Sequence, residues 1–123
     1  MEINPAYITF EQARLLKEKG IKFNCDNNWE EGKRSTTPDI WKLNGYGEAA
    51  TNYYPAPEQW QVVEWLRLTH GIWISPYMAS SISWGFHVLR VSDGHVIGRN
   101  EGLVNSPQEA YSAAFDYILN NLI

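Results

Sequence analysis

Ser83-Trp84-Gly85-Phe86-His87-Val88-Leu89-Arg90-Val91 runs through Ser92-Asp93-Gly94 into His95-Val96-Ile97-Gly98-Arg99. Trp84, Phe86 and Val88 alternate with Gly85 and His87, which is the period of a half-buried strand and not of a helix. Asp93-Gly94 is a strong hairpin signal, because a tight type I′ turn needs positive φ. The expectation is a strand over 83–91, a turn, and a returning strand over 95–99.

Moving outward, Ile72-Trp73-Ile74 reads as a further strand that ends before Pro76. Ahead of it lies a helix opened by Pro57, whose ring suits the first helical position, with Glu58 complementing the dipole. Trp60, Val63 and Leu66, joined by Val62 and Trp65, form its expected buried face; Arg67 and His70 fall in its last turn, and Gly71 ends it. On the C-terminal side, Ser106-Pro107-Gln108-Glu109 has the spacing of a capping box with proline at the first helical position. Ala110, Ala113, Ala114, Tyr117, Ile118 and Leu122 make the apolar face of that helix, and its alanines allow a close approach to a sheet.

Near the N-terminus, Thr9 and Gln12 again match the capping-box spacing, Phe10, Ala13 and Leu16 share a face, and Gly20 suits the position just past a helix end. Ile21, Phe23 and Cys25 then alternate with Lys22, Asn24 and Asp26 as a strand. Residues 27–56 are irregular and aromatic-rich, and either contain short strands, with Ile40 to Leu43 one candidate, or form a functional loop. The order helix, strand, loop, helix, three strands, helix predicts an α+β domain: a three-stranded antiparallel sheet, or a four-stranded one, with helices on one face. The 123 residues are expected to form one domain.

Composition narrows the function classes. Apolar residues make up 44% and charged residues 20%, ordinary for a globular chain. One cysteine, Cys25, cannot form an internal disulfide, no signal peptide is read at the N-terminus, and no apolar run reaches the ~20 residues of a membrane span, so the cytoplasm is the expected location and no membrane partner is expected. The net charge is −4, and residues 57–123 hold three bases (Arg67, Arg90, Arg99) against six acids. Such a balance disfavours a surface that neutralises many phosphates.

No residue set commits the chain to a reaction. His87 and His95 flank the turn, and the sequence leaves open whether they face one another; two histidines in any case fall short of the three or four protein ligands of a zinc site. His70 reads as a helix-end charge, Cys25 as an inert core thiol, and Gly45-Tyr46-Gly47 lacks the context of a nucleotide fingerprint. No catalytic residue, metal or cofactor is assigned. Trp60, Trp65, Trp84 and Phe86 read as core, while Trp29, Trp41, Tyr53 and Tyr54 are the candidate contact residues, with Arg90 and Arg99 as candidate anion clamps.

From residue 57 onward the order of elements resembles that of double-stranded-RNA-binding domains. That family places lysines at the start of its final helix, whereas residues 106–123 hold no Lys or Arg and carry Glu109 and Asp116. Asn105-Ser106-Pro107-Gln108-Glu109-Ala110 also looks like the helix start of HicB-type antitoxins. Across most of the chain, Thr9-Phe10-Glu11-Gln12-Ala13, Leu15-Leu16-Lys17-Glu18-Lys19-Gly20, Pro55-Ala56-Pro57, Trp65-Leu66-Arg67, His70-Gly71-Ile72 and the Ser106-to-Ala110 helix start resemble small uncharacterised proteins of gut-bacterial phages and prophages. That resemblance implies an accessory protein of a mobile element in a bacterial host cell, and no reaction or ligand. A protein partner or self-association is the first expectation for its function, with exposed aromatics of 27–56 as the contact surface. A nucleic-acid-binding module and a small-molecule or nucleotide-binding protein are the alternatives.

Overall fold

The structure, a computed structural model, describes residues 6–21, 28–30, 33–35, 53–55 and 57–123. The expected strand at 21–26 with Cys25, the candidate strand at 40–43, Gly45-Tyr46-Gly47 and Trp41 lie outside them, except for Ile21. The chain divides into two compact units, Met1–Glu58 and Gln59–Ile123.

The first unit contains α1 (Phe10–Glu18) and three short strands, β1 (Asn28–Glu30), β2 (Lys33–Ser35) and β3 (Tyr53–Pro55). The reciprocal cap expected at Thr9 is present: its hydroxyl accepts from the Gln12 N–H at 3.2 Å and its own N–H donates to Gln12 Oε1 at 2.9 Å. Ile8, Ala13 and Leu16 are buried, and Gly20 has the positive φ of 77° that a helix end asks of glycine. The three strands form an antiparallel sheet in the order β2-β1-β3, so the segment 27–56 does contain short strands.

Pro57 and Glu58 do not start the second helix. The Pro57 carbonyl accepts from the Ile8 N–H at 3.2 Å and Glu58 pairs with Tyr7 in an antiparallel bridge, which holds both in extended backbone. Helix α2 therefore begins at Gln59 and runs to Trp65, then widens into a π turn, Leu66–His70, closed by the Gly71 N–H on the Leu66 carbonyl. Its buried residues are Gln59, Val62, Val63 and Leu66, whereas Trp60, expected in the core, is 61% exposed. Gln59 carries its buried amide without penalty by donating from Nε2 to the Gln108 carbonyl at 3.0 Å.

Strands β4 (Ile72–Ser80), β5 (Ser83–Arg90) and β6 (Val96–Arg99) form the antiparallel sheet of the second unit, in the order β4-β5-β6, and α3 (Pro107–Asn121) lies across β4 and β5. This is the expected α+β architecture, with helices packed on a three-stranded sheet. The inner row Ile74–Val88–Gly98 and the pair Pro76–Phe86 face the helices; Ile74, Phe86 and Val88 are buried against Ala110, Ala114, Phe115, Ile118 and Leu119 of α3. Gly98 is required by a close approach, because a Cβ there would meet the Tyr117 ring, 2.9 Å from Cζ. Ser106 caps α3 by accepting from the Glu109 N–H at 3.1 Å, and Glu109 reaches back to the Asn105 N–H at 2.8 Å, one residue further out than a closed box.

Two expectations about the strands are corrected. The first strand does not stop before Pro76; it passes through it. Phe86, opposite Pro76, directs its carbonyl to the Asn100 N–H and its N–H to Asn100 Oδ1, both on the β6 side. Pro76 therefore occupies a position whose backbone groups point away from β5, and β4 is an edge strand, so the missing N–H removes no ladder bond. It also interrupts the row of donors that another strand could use. Pro76→Thr should restore that row and increase self-association with little loss of fold; light scattering at rising concentration would detect it, and a mass unchanged from the wild type would show that Pro76 does not guard the edge. Second, β5 and β6 are joined by residues 91–95 and not by a two-residue turn: the Gly94 N–H donates to the Arg90 carbonyl and the Arg90 N–H to the His95 carbonyl. Asp93 holds this wider loop by accepting from both Arg90 and the His95 N–H.

Candidate functional site

The outer face of the β4–β5–β6 sheet collects the side chains best suited to binding. Because strand residues alternate between faces, the register that buries Ile74 and Val88 turns the neighbouring rows outward. One row is Ser75–His87–Arg99, crossing all three strands. The row before it holds Trp73, Leu89 and Val96; the row after it holds Tyr77 and Gly85. Trp73 is 37% and Tyr77 36% exposed.

Tyr77 is positioned by three neighbours. Gly85 leaves room beneath it, since a Cβ at 85 would stand 2.6 Å from the tyrosine Cζ and Oη. The Tyr77 hydroxyl donates to Asn100 Oδ1 at 3.3 Å, and the ring stacks on His87 with centroids 4.9 Å apart and planes inclined by 26°. Asn100 serves both faces of this arrangement: Oδ1 also accepts from the Phe86 N–H, and Nδ2 donates to the Gly102 carbonyl at 3.0 Å. No pattern in the sequence marks Asn100 or Tyr77; both gain their roles from cross-strand register.

A second surface lies at the hairpin end of the sheet. Met78 is opposite Trp84, and Trp84 is bridged in turn to Val104 with paired bonds of 2.7 and 2.8 Å. Around this row Met78 (62%), Ile82 (74%) and Leu103 (54%) are all exposed. Met78 in β4, Ile82 in the turn between β4 and β5, and Leu103 next to Val104 thus all belong to the hairpin end of this sheet.

The residues singled out from the sequence fall into separate places. Trp29 is in β1 with Arg34 and Tyr54 as its register partners, so these three share one row of the small sheet, and Tyr53 shares the next with Glu30 and Lys33. Arg90 is bound by Asp93 at 2.7 Å, and that carboxyl is held well below the usual carboxylate range, first by the Arg90 hydrogen bond and then by the His95 N–H. Arg99 is exposed and makes no ion pair among the described residues. His87 faces Arg99 across the sheet and not His95, which lies in the loop before β6; the two histidines are not neighbours. His70 packs edge-on against Trp65, centroids 4.8 Å apart. Among the described residues no three His, Cys, Asp or Glu side chains gather where they could hold a metal ion, and no helix is long and apolar enough to cross a membrane. Comparison with known proteins returns no match: no family model, no curated protein and no solved structure is significantly similar to this chain.

Proposed function

We propose that this chain is a small protein-binding module, of the accessory kind that phages and prophages encode, acting in the cytoplasm of a bacterial host. The observation that carries the reading is the apolar end of the β4–β5 hairpin, where Met78, Ile82 and Leu103 are each exposed and Trp84 is half-buried. Single exposed apolar side chains are ordinary, but several at one end of a sheet have the composition of an interface centre.

The test uses the full chain with a tag. Proteins would be captured from nuclease-treated bacterial lysate by the wild type and by M78S/I82D, and quantified. At least one stoichiometric partner should fall ten-fold or more with the double variant, since hot-spot truncations cost ~2 kcal/mol or more. A partner retained equally by M78S/I82D but lost with W29A/Y54A would move the contact to the small sheet; no stoichiometric partner for either would end the reading.

A further inference from the structure

We propose that the outer face of the β4–β5–β6 sheet binds a short stretch of single-stranded nucleic acid, its bases stacked on Trp73 and on the Tyr77–His87 pair and a phosphate held by Arg99. This surface is separate from the hairpin end and does not depend on the protein-binding reading. Three observations converge on it. The face presents rings at two positions along β4, Trp73 and Tyr77, with His87 already stacked on the second. Between them runs a row of donors, the Ser75 hydroxyl, the His87 imidazole and the Arg99 guanidinium, spaced by the ~4.8 Å between strands. No carboxylate belongs to these rows, although the chain as a whole is acidic: Glu64 is bound to Arg67, Asp93 to Arg90, and Glu109 and Asp116 lie on α3. Glu101, two residues beyond Arg99, makes no ion pair with it.

Rings on an open sheet suit unstacked bases, because each base offers a π-face whatever its sequence. A duplex hides those faces. The acidity of the unit sets the balance of forces. One arginine and one imidazole can make one or two phosphate contacts, so stacking and not counterion release dominates. The salt slope follows, at about −0.7 to −1.4, or roughly a three- to seven-fold loss of affinity between 50 and 200 mM salt. Six contacts to a single strand would lose roughly 300-fold over the same range.

The experiment titrates the full chain into labelled oligo-U and oligo-dT of about eight nucleotides and into a hairpin duplex, by fluorescence anisotropy at several salt concentrations. Expected are binding to the single strands only, a shallow slope, a loss of roughly ten-fold with Trp73→Ala, and a smaller loss with a still flatter slope for Arg99→Gln. Circular dichroism checks that each variant is folded; should Trp73→Ala fail it, Trp73→Phe and the exposed Arg99→Gln and Arg99→Glu carry the test. M78S/I82D should leave oligonucleotide binding unchanged, which separates failure of this proposal from failure of the protein-binding one. No binding at about 1 mM, equal binding of the duplex, a steep slope, or affinity indifferent to both Trp73 and Arg99 would each overturn it.

Discussion

Phe115→Ala should destabilise the Gln59–Ile123 unit by about 3–5 kcal/mol, the usual cost of emptying a buried aromatic site. Phe115 is 1% exposed and is the largest of the fully buried side chains among the described residues. It sits in the middle of α3, which lies across β4 and β5, with Tyr111 one turn earlier at 6.3 Å between ring centroids. A small unit has little reserve, since whole domains are stable by only about 5–15 kcal/mol, so the variant should unfold at much lower urea or fail to fold at 37 °C. Phe115→Leu, which leaves a smaller void, should retain most of the stability and keeps the measurement readable if the alanine variant collapses. A loss below about 1 kcal/mol for alanine would mean that this site is not the centre of the core.

Gly98→Ala should cost about 1–3 kcal/mol by the opposite mechanism, overpacking. The new Cβ would press on the Tyr117 ring, 2.9 Å from Cζ and 3.1 Å from Oη, between β6 and α3. The ring also faces Phe86, with centroids 6.5 Å apart, so a displaced Tyr117 disturbs the sheet-facing side of the core. A double-mutant cycle isolates the cause: Tyr117→Ala alone should be destabilising, but in the Gly98→Ala background it should cost about 1 kcal/mol less, because it removes the clash. Strict additivity would show that Gly98 is needed for its backbone and not for the room it leaves. Urea unfolding followed by far-ultraviolet circular dichroism measures all four chains.

Features encoded by neighbours three or four residues apart are legible in the amino-acid sequence alone. Thr9 and Gln12, and Ser106 and Glu109, specify helix starts because each side chain satisfies a backbone donor one turn away. Alternation places Phe86 and Val88 in the core, and both are buried. The same local reading fails at Pro57 and Trp60, and does not single out Phe115. Pro57 has the ring for a first helical turn, yet its carbonyl is held by Ile8, nearly fifty residues earlier. Trp60 is exposed and Phe115 buried because helical spacing defines a face but not its centre, and a shift of one position turns the helix by about 100°.

The candidate site divides in the same way. Residue types, alternation, caps and the acidic balance follow from the amino-acid sequence by itself, since each depends on short-range chemistry or on counting. Register does not. That His87 lies opposite Arg99 and not beside His95, that Tyr77 rests over Gly85, and that Asn100 supplies an acceptor to Phe86 all depend on how three strands slide past one another. A slip of one residue would send each side chain to the other face, and the choice among slips is made by the fit of Ile74, Phe86 and Val88 under α3, a property of the packed core and not of any one segment.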